Sequence, residues 1–253
     1  MTLEPELKRN EPEGDRLRTE ALALLSHELS TPLAAVKGYA TAMLLEEVTW
    51  SEEKRQQFLQ LIVEEVDDLQ AMIRHILDTT RIEAGLLNLE PQPLRLSRLA
   101  QAVIHEMQQR TTLHNFVLDF PAEFPLIDGD PRRLKQVFRN ILDNAIKYAP
   151  DGGLIIVRGV VRPQDVVVSI ADQGVGISPE DMIPLFDKYF RARADNGRYI
   201  PGTGLGLPLS RTIIEAHNGR IWVESQLGEG TTIHFSLPRQ GLSTHTEIIQ
   251  DSA

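Results

Sequence analysis

The feature that most constrains this chain is a run of apolar residues whose spacing alternates between three and four: Leu59, Ile62, Val66, Leu69, Ile73, Ile76 and, closing it, Thr80. A seam of this period suits a long helix that faces other helices. A second series at helical spacing precedes it through Leu22, Leu25, Leu29, Val36, Ala40 and Met43, and a break at residues 46–52 separates the two. Residues 16–84 are therefore expected to form an all-α helical hairpin. One hairpin offers too little surface to cover the seam, so two copies should pair as a dimeric four-helix bundle. Residues 1–15, charged and carrying Pro5, Pro12 and Gly14, read as a flexible lead-in.

The pattern then changes. Residues 85–96, with Pro91 and Pro93, read as a linker. A helix is expected from 97 to 110, with Ser97 as its cap, then an extended segment at 115–120. A helix over 131–148 ends at Pro150-Asp151-Gly152-Gly153. Two β-rich runs, 154–161 and 166–171, suggest a hairpin turning near Arg162-Pro163. A helix at 205–217 and strands at 220–225 and 231–237 follow. Residues 97–238 thus predict an α/β two-layer sandwich, a mixed sheet with helices on one face, and residues 239–253 a tail.

Charge and composition narrow the function. The net charge is −10, and residues 1–90 hold 9 Lys/Arg against 18 Asp/Glu, so the acidity sits in the N-terminal third. That disfavours a nucleic-acid partner, which needs basic surface. The chain has no cysteine, which excludes disulfides and thiolate metal sites. No apolar run approaches the ~20 residues of a membrane span and no signal peptide opens the chain. The expectation is no membrane segment in this chain and a cytoplasmic location, with any membrane sensor lying outside it.

One candidate site is Leu25-Ser26-His27-Glu28-Leu29-Ser30-Thr31-Pro32-Leu33. Leu25 and Leu29 belong to the apolar seam. His27 is two residues from each, a rotation of roughly 200° that turns it to the exposed face. A neutral imidazole nitrogen there can attack phosphorus, and Glu28 can accept the other ring proton. Thr31, one turn on, shares the face of His27. Pro32 removes a backbone hydrogen bond and should bend the helix. In isolation, a surface histidine beside a glutamate is most often simply solvated.

A second candidate site is spread over four segments. In Arg139-Asn140-Ile141-Leu142-Asp143-Asn144-Ala145-Ile146-Lys147-Tyr148, Asn140 and Asn144 share a helix face. Their carboxamide oxygens suit Mg²⁺ beside a triphosphate. Lys147 offers a point charge for phosphate, and Tyr148 can pack near a base. Asp172-Gln173-Gly174-Val175-Gly176 follows a strand, and its carboxylate can accept a hydrogen bond from the exocyclic amine of adenine while Gly174 and Gly176 permit close approach. Leu185-Phe186-Asp187-Lys188-Tyr189-Phe190 reads as a helix anchored to the core. The polar stretch from Arg191 to Arg198 after it reads as a lid. Finally, Gly202-Thr203-Gly204-Leu205-Gly206 opens a helix and can present backbone N–H groups to phosphate. It is no Walker A loop, because no Gly-Lys-Ser/Thr follows. Each segment alone is a weak signal.

Their order makes them specific. LSHELSTPLAAVKGY resembles the phosphoacceptor box of the HisKA class of sensor histidine kinases, and the four later segments resemble the N, first glycine, F and second glycine boxes of the kinase ATP-binding domain, with GEGTTIHFSLP at 228–238 like its last strand. The resemblance covers roughly residues 20–238. It implies a sandwich of the GHKL ATPase type and phosphorylation of His27 by Mg·ATP. It also implies proton transfer assisted by Glu28 and, through Thr31, alignment of water for dephosphorylation of a response regulator. ATP would be held by Asn140, Asn144, Lys147, Asp172 and the second glycine box, under a lid carrying Arg191. Ser30 departs from the Arg or Lys common in relatives, and Pro208 and the Tyr189-Phe190 order are milder departures. The gyrase, Hsp90 and MutL class shares the ATP fold but places a glutamate where this chain has Asn140. An amide is no general base at neutral pH, so this site should hold ATP without hydrolysing it quickly. A dimeric adaptor with a degenerate nucleotide site is the other reading, and intact Asn144, Asp172 and glycines argue against it.

Overall fold

A computed structural model describes residues 13–45, 48–83, 88–190 and 204–239; for 13–25, 27, 28, 68, 71, 74, 75, 78, 79 and 81–83 it describes the backbone alone. The chain divides into two compact units, one running to Ile76 and the other from Leu77.

The first unit holds helices α1 (Glu13–Met43) and α2 (Glu52–Glu83) on either side of the expected break; α2 itself runs past the boundary into the second unit. α1 starts within the stretch read as a lead-in and continues through Pro32. An aromatic cluster closes the hairpin end. Trp50 donates its indole N–H to the Ala42 carbonyl at 2.9 Å and meets Phe58 edge-on, while Phe58 stacks on Tyr39 with 5.8 Å between ring centroids. The heptad seam stays wet in a single copy: Leu59 is 51% exposed and Ile73 48%.

The second unit is built from β1 (Gln92–Leu94), α3 (Leu96–Gln108), β2 (His114–Asp119), β3 (Ile127–Gly129), α4 (Pro131–Lys147), β4 (Gly153–Val161), β5 (Asp165–Ala171), α5 (Pro179–Met182), α6 (Gly206–Ala216), β6 (Arg220–Gln226) and β7 (Gly230–Pro238). The main sheet has the order β2-β4-β5-β7-β6, with β2 parallel to β4 and the other neighbours antiparallel. It is the mixed sheet expected. Its inner face (Ile155, Val157, Val166, Val168, Ile170, Ile233, Phe235 and Leu237) packs with apolar residues of α3, α4 and α6 into one core. At its centre Phe138 of α4 meets Phe235 edge-on at 5.4 Å.

Three local expectations need correction. β1 lies inside the stretch read as a linker and pairs with β3, so the sandwich begins before residue 97. Arg95, not Ser97, is the N-cap of α3, and its side chain makes no capping bond; Ser97 falls inside the first turn. The segment around Phe186 carries only the single turn α5 ahead of it, where Ser178 caps and Pro179 opens the helix.

Candidate functional site

In the first unit, the backbone of His27 and Glu28 lies in α1; their side chains lie outside the description. Around them, Ser26, Ser30 and Thr31 are exposed, Leu29 is half-buried and Pro32 buried. Ser30 bonds back to the Ser26 carbonyl at 2.7 Å, a local tie that leaves it little reach.

In the second unit, α4 is fixed at both ends. The Asp130 carboxylate caps it by accepting from the N–H groups of Arg132 and Arg133, and Pro131 occupies the first turn. Its apolar face is buried from Leu134 to Ala145, and Asn140 sits among these residues at 6% exposure. A buried amide must be bonded. Asn140 donates through Nδ2 to the Gly206 carbonyl at 2.9 Å and to Ser210 Oγ at 3.2 Å. A carbonyl can only accept, which fixes the amide orientation and leaves Oδ1 for other use. Asn140 therefore clamps the start of α6, a structural role not legible in its sequence position.

One turn on, Asn144 is half-buried and its carboxamide has no hydrogen bond among the described residues. Lys147 pairs with Asp143 at 2.7 Å. Tyr148 caps the helix and is half-buried. Its carbonyl accepts from Val175 N–H at 3.0 Å, which ties α4 to the loop after β5.

Asp172 begins that loop. Oδ1 accepts from the N–H groups of Gly174 at 2.9 Å and Thr231 at 3.2 Å, while Oδ2 accepts none among the described residues. Burial pushes its carboxyl above the usual carboxylate range, and the two backbone donors pull the other way. A half-buried carboxylate with one oxygen open is an acceptor awaiting a donor.

The loop glycines answer to the protein's own backbone. A Cβ on Gly174 would meet the Tyr148 carbonyl at 2.3 Å, and one on Gly176, at φ +70°, would meet the Gln226 carbonyl at 2.1 Å. The end of α4 and β6 therefore pack against this loop where any side chain at these two positions would clash.

Of the second glycine segment, Arg191, Gly202 and Thr203 lie outside the described residues. Tyr189, at φ 65°, donates its N–H to the Gly204 carbonyl at 3.0 Å. Leu205 is buried and caps α6, whose first residue is Gly206. The described part of the site thus gathers Asn140 with Gly206, and Tyr148 with the Asp172 loop.

Sequence reasoning missed His217. It is 1% exposed, its Nδ1 lies 2.7 Å from the Ile213 carbonyl, and its Nε2 accepts from Asp130 N–H at 2.9 Å. The ring is thus neutral with its proton on Nδ1, and burial holds its pKa below the ordinary value. One imidazole joins the end of α6 to the start of α4. His217-Asn218-Gly219 after a helix, with Asn218 at φ 58°, was the available signal.

The donor set suits Mg·ATP. Neutral carboxamide oxygens are hard ligands that add no negative charge beside a triphosphate, and Asp172 Oδ2 suits an amine. Among the described residues no group of three or more His, Cys, Asp or Glu could hold a metal by itself. No described helix is long and apolar enough to cross a membrane.

Residues 17–85 match the His Kinase A phospho-acceptor domain, and residues 129–241 match the histidine kinase-, DNA gyrase B-, and HSP90-like ATPase family. The Non-motile and phage-resistance protein of Caulobacter vibrioides is 36% identical over 89% of this chain and 27% of its own length. The Adaptive-response sensory kinase SasA of Synechococcus elongatus is 33% identical over 89% of this chain and 60% of its own length. The chain thus spans less than two thirds of these relatives' length. Among solved structures, full-length ShkA in complex with AMPPNP has a TM-score of 0.63 and 28% identity, covering 88% of this chain and 46% of that one. Histidine kinase ThkA in complex with response regulator protein TrrA has a TM-score of 0.63 and 25% identity, covering 89% and 64%. With both domains matched in the same order along one chain, the protein belongs to the sensor histidine kinases.

Proposed function

We propose that this chain is an ATP-dependent protein-histidine autokinase acting as a homodimer in the cytoplasm. Residues 16–84 serve as the dimerisation and phosphoacceptor domain, and the sandwich from β1 to residue 238 as the ATP-binding domain. The observation that carries this reading is the half-buried Asp172, whose Oδ2 is open beside a glycine-tied loop, in a chain that also holds His27-Glu28-x-x-Thr31-Pro32 on a helix. A hydrolase of the related class would place a general base where Asn140 stands, and the Asn140 amide, whose Nδ2 is tied to α6, is no base at neutral pH.

Adenine recognition falls to Asp172, with Tyr148 beside the base. Asn144 and the open Oδ1 of Asn140 would ligate Mg²⁺, which neutralises phosphate charge when bound. Lys147, Arg191 and the segment Gly202, Thr203, Gly204, Leu205, Gly206 hold the phosphates. A ring nitrogen of His27 forms the N–P bond as the bond from the γ-phosphorus to the bridging oxygen breaks and ADP leaves, and Glu28 takes the proton from the other nitrogen. The phosphoryl group then passes to an aspartate of a response regulator, and Thr31 aligns water for its later removal. ThkA bound to a response regulator and ShkA bound to an ATP analogue support these partners.

The test is the chemistry of the product. Incubation with ATP labelled at the γ-phosphate should give protein-bound label that is acid-labile and base-stable, and that moves to a receiver domain on addition. Free labelled phosphate with unlabelled protein would instead indicate a hydrolase.

A further inference from the structure

The α4 helix presents two flanks to two neighbours. Taking Asn140 as the origin, at about 100° per residue, Asn144 lies near +40°, Lys147 near −20°, Asp143 near −60°, Arg139 near −100° and Lys135 near −140°. Asn140 faces α6 through Gly206 and Ser210. The far flank faces α3 and its end through a line of ion pairs: Lys135 and Arg139 with Glu106, and Asp143 with Arg110 at 3.3 Å. Lys147 stands between the flanks, and its ammonium is drawn to the α3 side by Asp143 Oδ2 at 2.7 Å. Arg110 holds the other oxygen of the same carboxylate, which fixes Asp143 on that side.

We infer that Asp143 is a positioning residue that holds Lys147 on the α3 flank, away from Asn144, and yields it only to nucleotide phosphate. The inference rests on the reading of Lys147 as a phosphate ligand. Its consequence runs against the usual effect of removing an ion pair: the phosphates must compete with Asp143, so loss of Asp143 should tighten ATP binding. All three side chains are partly exposed, at 26% for Asp143, 42% for Lys147 and 49% for Arg110. An exposed pair is worth little, so the gain should be about two- to fivefold. Adenosine has no phosphates and should be indifferent to the change.

The experiment is titration of the full chain and its variants with ATP and, separately, with adenosine, in Mg²⁺. Lys147→Ala should weaken ATP and spare adenosine. Asp143→Asn should tighten ATP about two- to fivefold, spare adenosine, and have no effect on ATP in the Lys147→Ala background. Arg110→Gln cuts the tie to the end of α3 without freeing Lys147, so it should not tighten ATP. ATP affinity unchanged or weakened in Asp143→Asn, or a gain that persists without Lys147, would overturn the inference alone, as would an equal gain for adenosine or for Arg110→Gln. Undiminished ATP affinity in Lys147→Ala would overturn the phosphate role of Lys147 as well.

Discussion

The hairpin and the sandwich bury their apolar residues in opposite ways. In the sandwich, Leu134 and Phe138 of α4 and Phe235 of β7 are fully covered by elements of the same chain. In the hairpin, Leu59, Val63, Val66 and Ile73 remain between 37% and 53% exposed on one helix. Apolar side chains left in water forgo roughly 1.5–3 kcal/mol each relative to full burial. The core of the sandwich is closed by elements of its own unit, whereas these four residues of α2 keep part of their apolar surface in water, as the proposed dimer requires.

The largest expected effect follows from that contrast. A fragment of residues 16–90 should have twice the monomer mass in light scattering, and its melting temperature should rise with concentration, because association and folding are linked. A fragment of residues 88–239 should be monomeric, with melting independent of concentration. A folded monomeric hairpin would break the comparison.

Next in size is Asn140→Ala. It removes a buried donor from the Gly206 carbonyl and Ser210 Oγ, and should destabilise the sandwich by about 1–3 kcal/mol in urea denaturation. Asp172→Asn separates function from stability in the same unit. Its raised pKa means that Asp172 favours folding below its unfolded value, near 3.9, and that this contribution is lost as pH rises through the folded value. Burial makes its ionised form the costly one. The Asn oxygen can still accept from Gly174 and Thr231, so the melting temperature should hold while ATP affinity falls at least ~10-fold, since the amide presents a donor to the adenine amine. Undiminished ATP affinity would show that Asp172 does not read the base.

The smallest effect concerns His217. Its pKa is held down in the folded state, so its contribution is present above the unfolded value, near 6.5, and lost as pH falls through the folded value. His234 is depressed in the same direction, also by burial. Wild-type stability should therefore decline below about pH 6.5, and His217→Gln should flatten part of that decline. An identical slope in the variant would assign the acid sensitivity elsewhere.

Long periodic segments were legible from the sequence, and short or long-range features were not. The helix expected over 131–148 is α4, and the β-rich runs at 154–161 and 166–171 are β4 and β5. β1 and β3 have three residues each and pair across more than thirty positions, so neither carries a period to read. The boundary at Arg95 moved because sheet pairing just before it brings the chain into α3, where Ser97 is already helical. At the site, residue types were readable but some of their partners were not. Gly174 and Gly176 were read as letting the backbone approach a base, and carbonyls of Tyr148 and Gln226, distant in sequence, lie where their Cβ atoms would stand. Asn140 was read as a metal ligand, while its amide nitrogen is tied to a carbonyl 66 positions away. His217 was invisible for the same reason, since its partner Asp130 lies 87 positions earlier.

The central claim is that His27 alone receives the phosphoryl group that the sandwich delivers. The direct measurement compares wild type with His27→Gln for label from γ-phosphate and, by calorimetry, for ATP affinity. His27→Gln should carry no label while binding ATP as wild type does. Labelling at the wild-type level in His27→Gln would contradict it, since the acceptor would then be another residue.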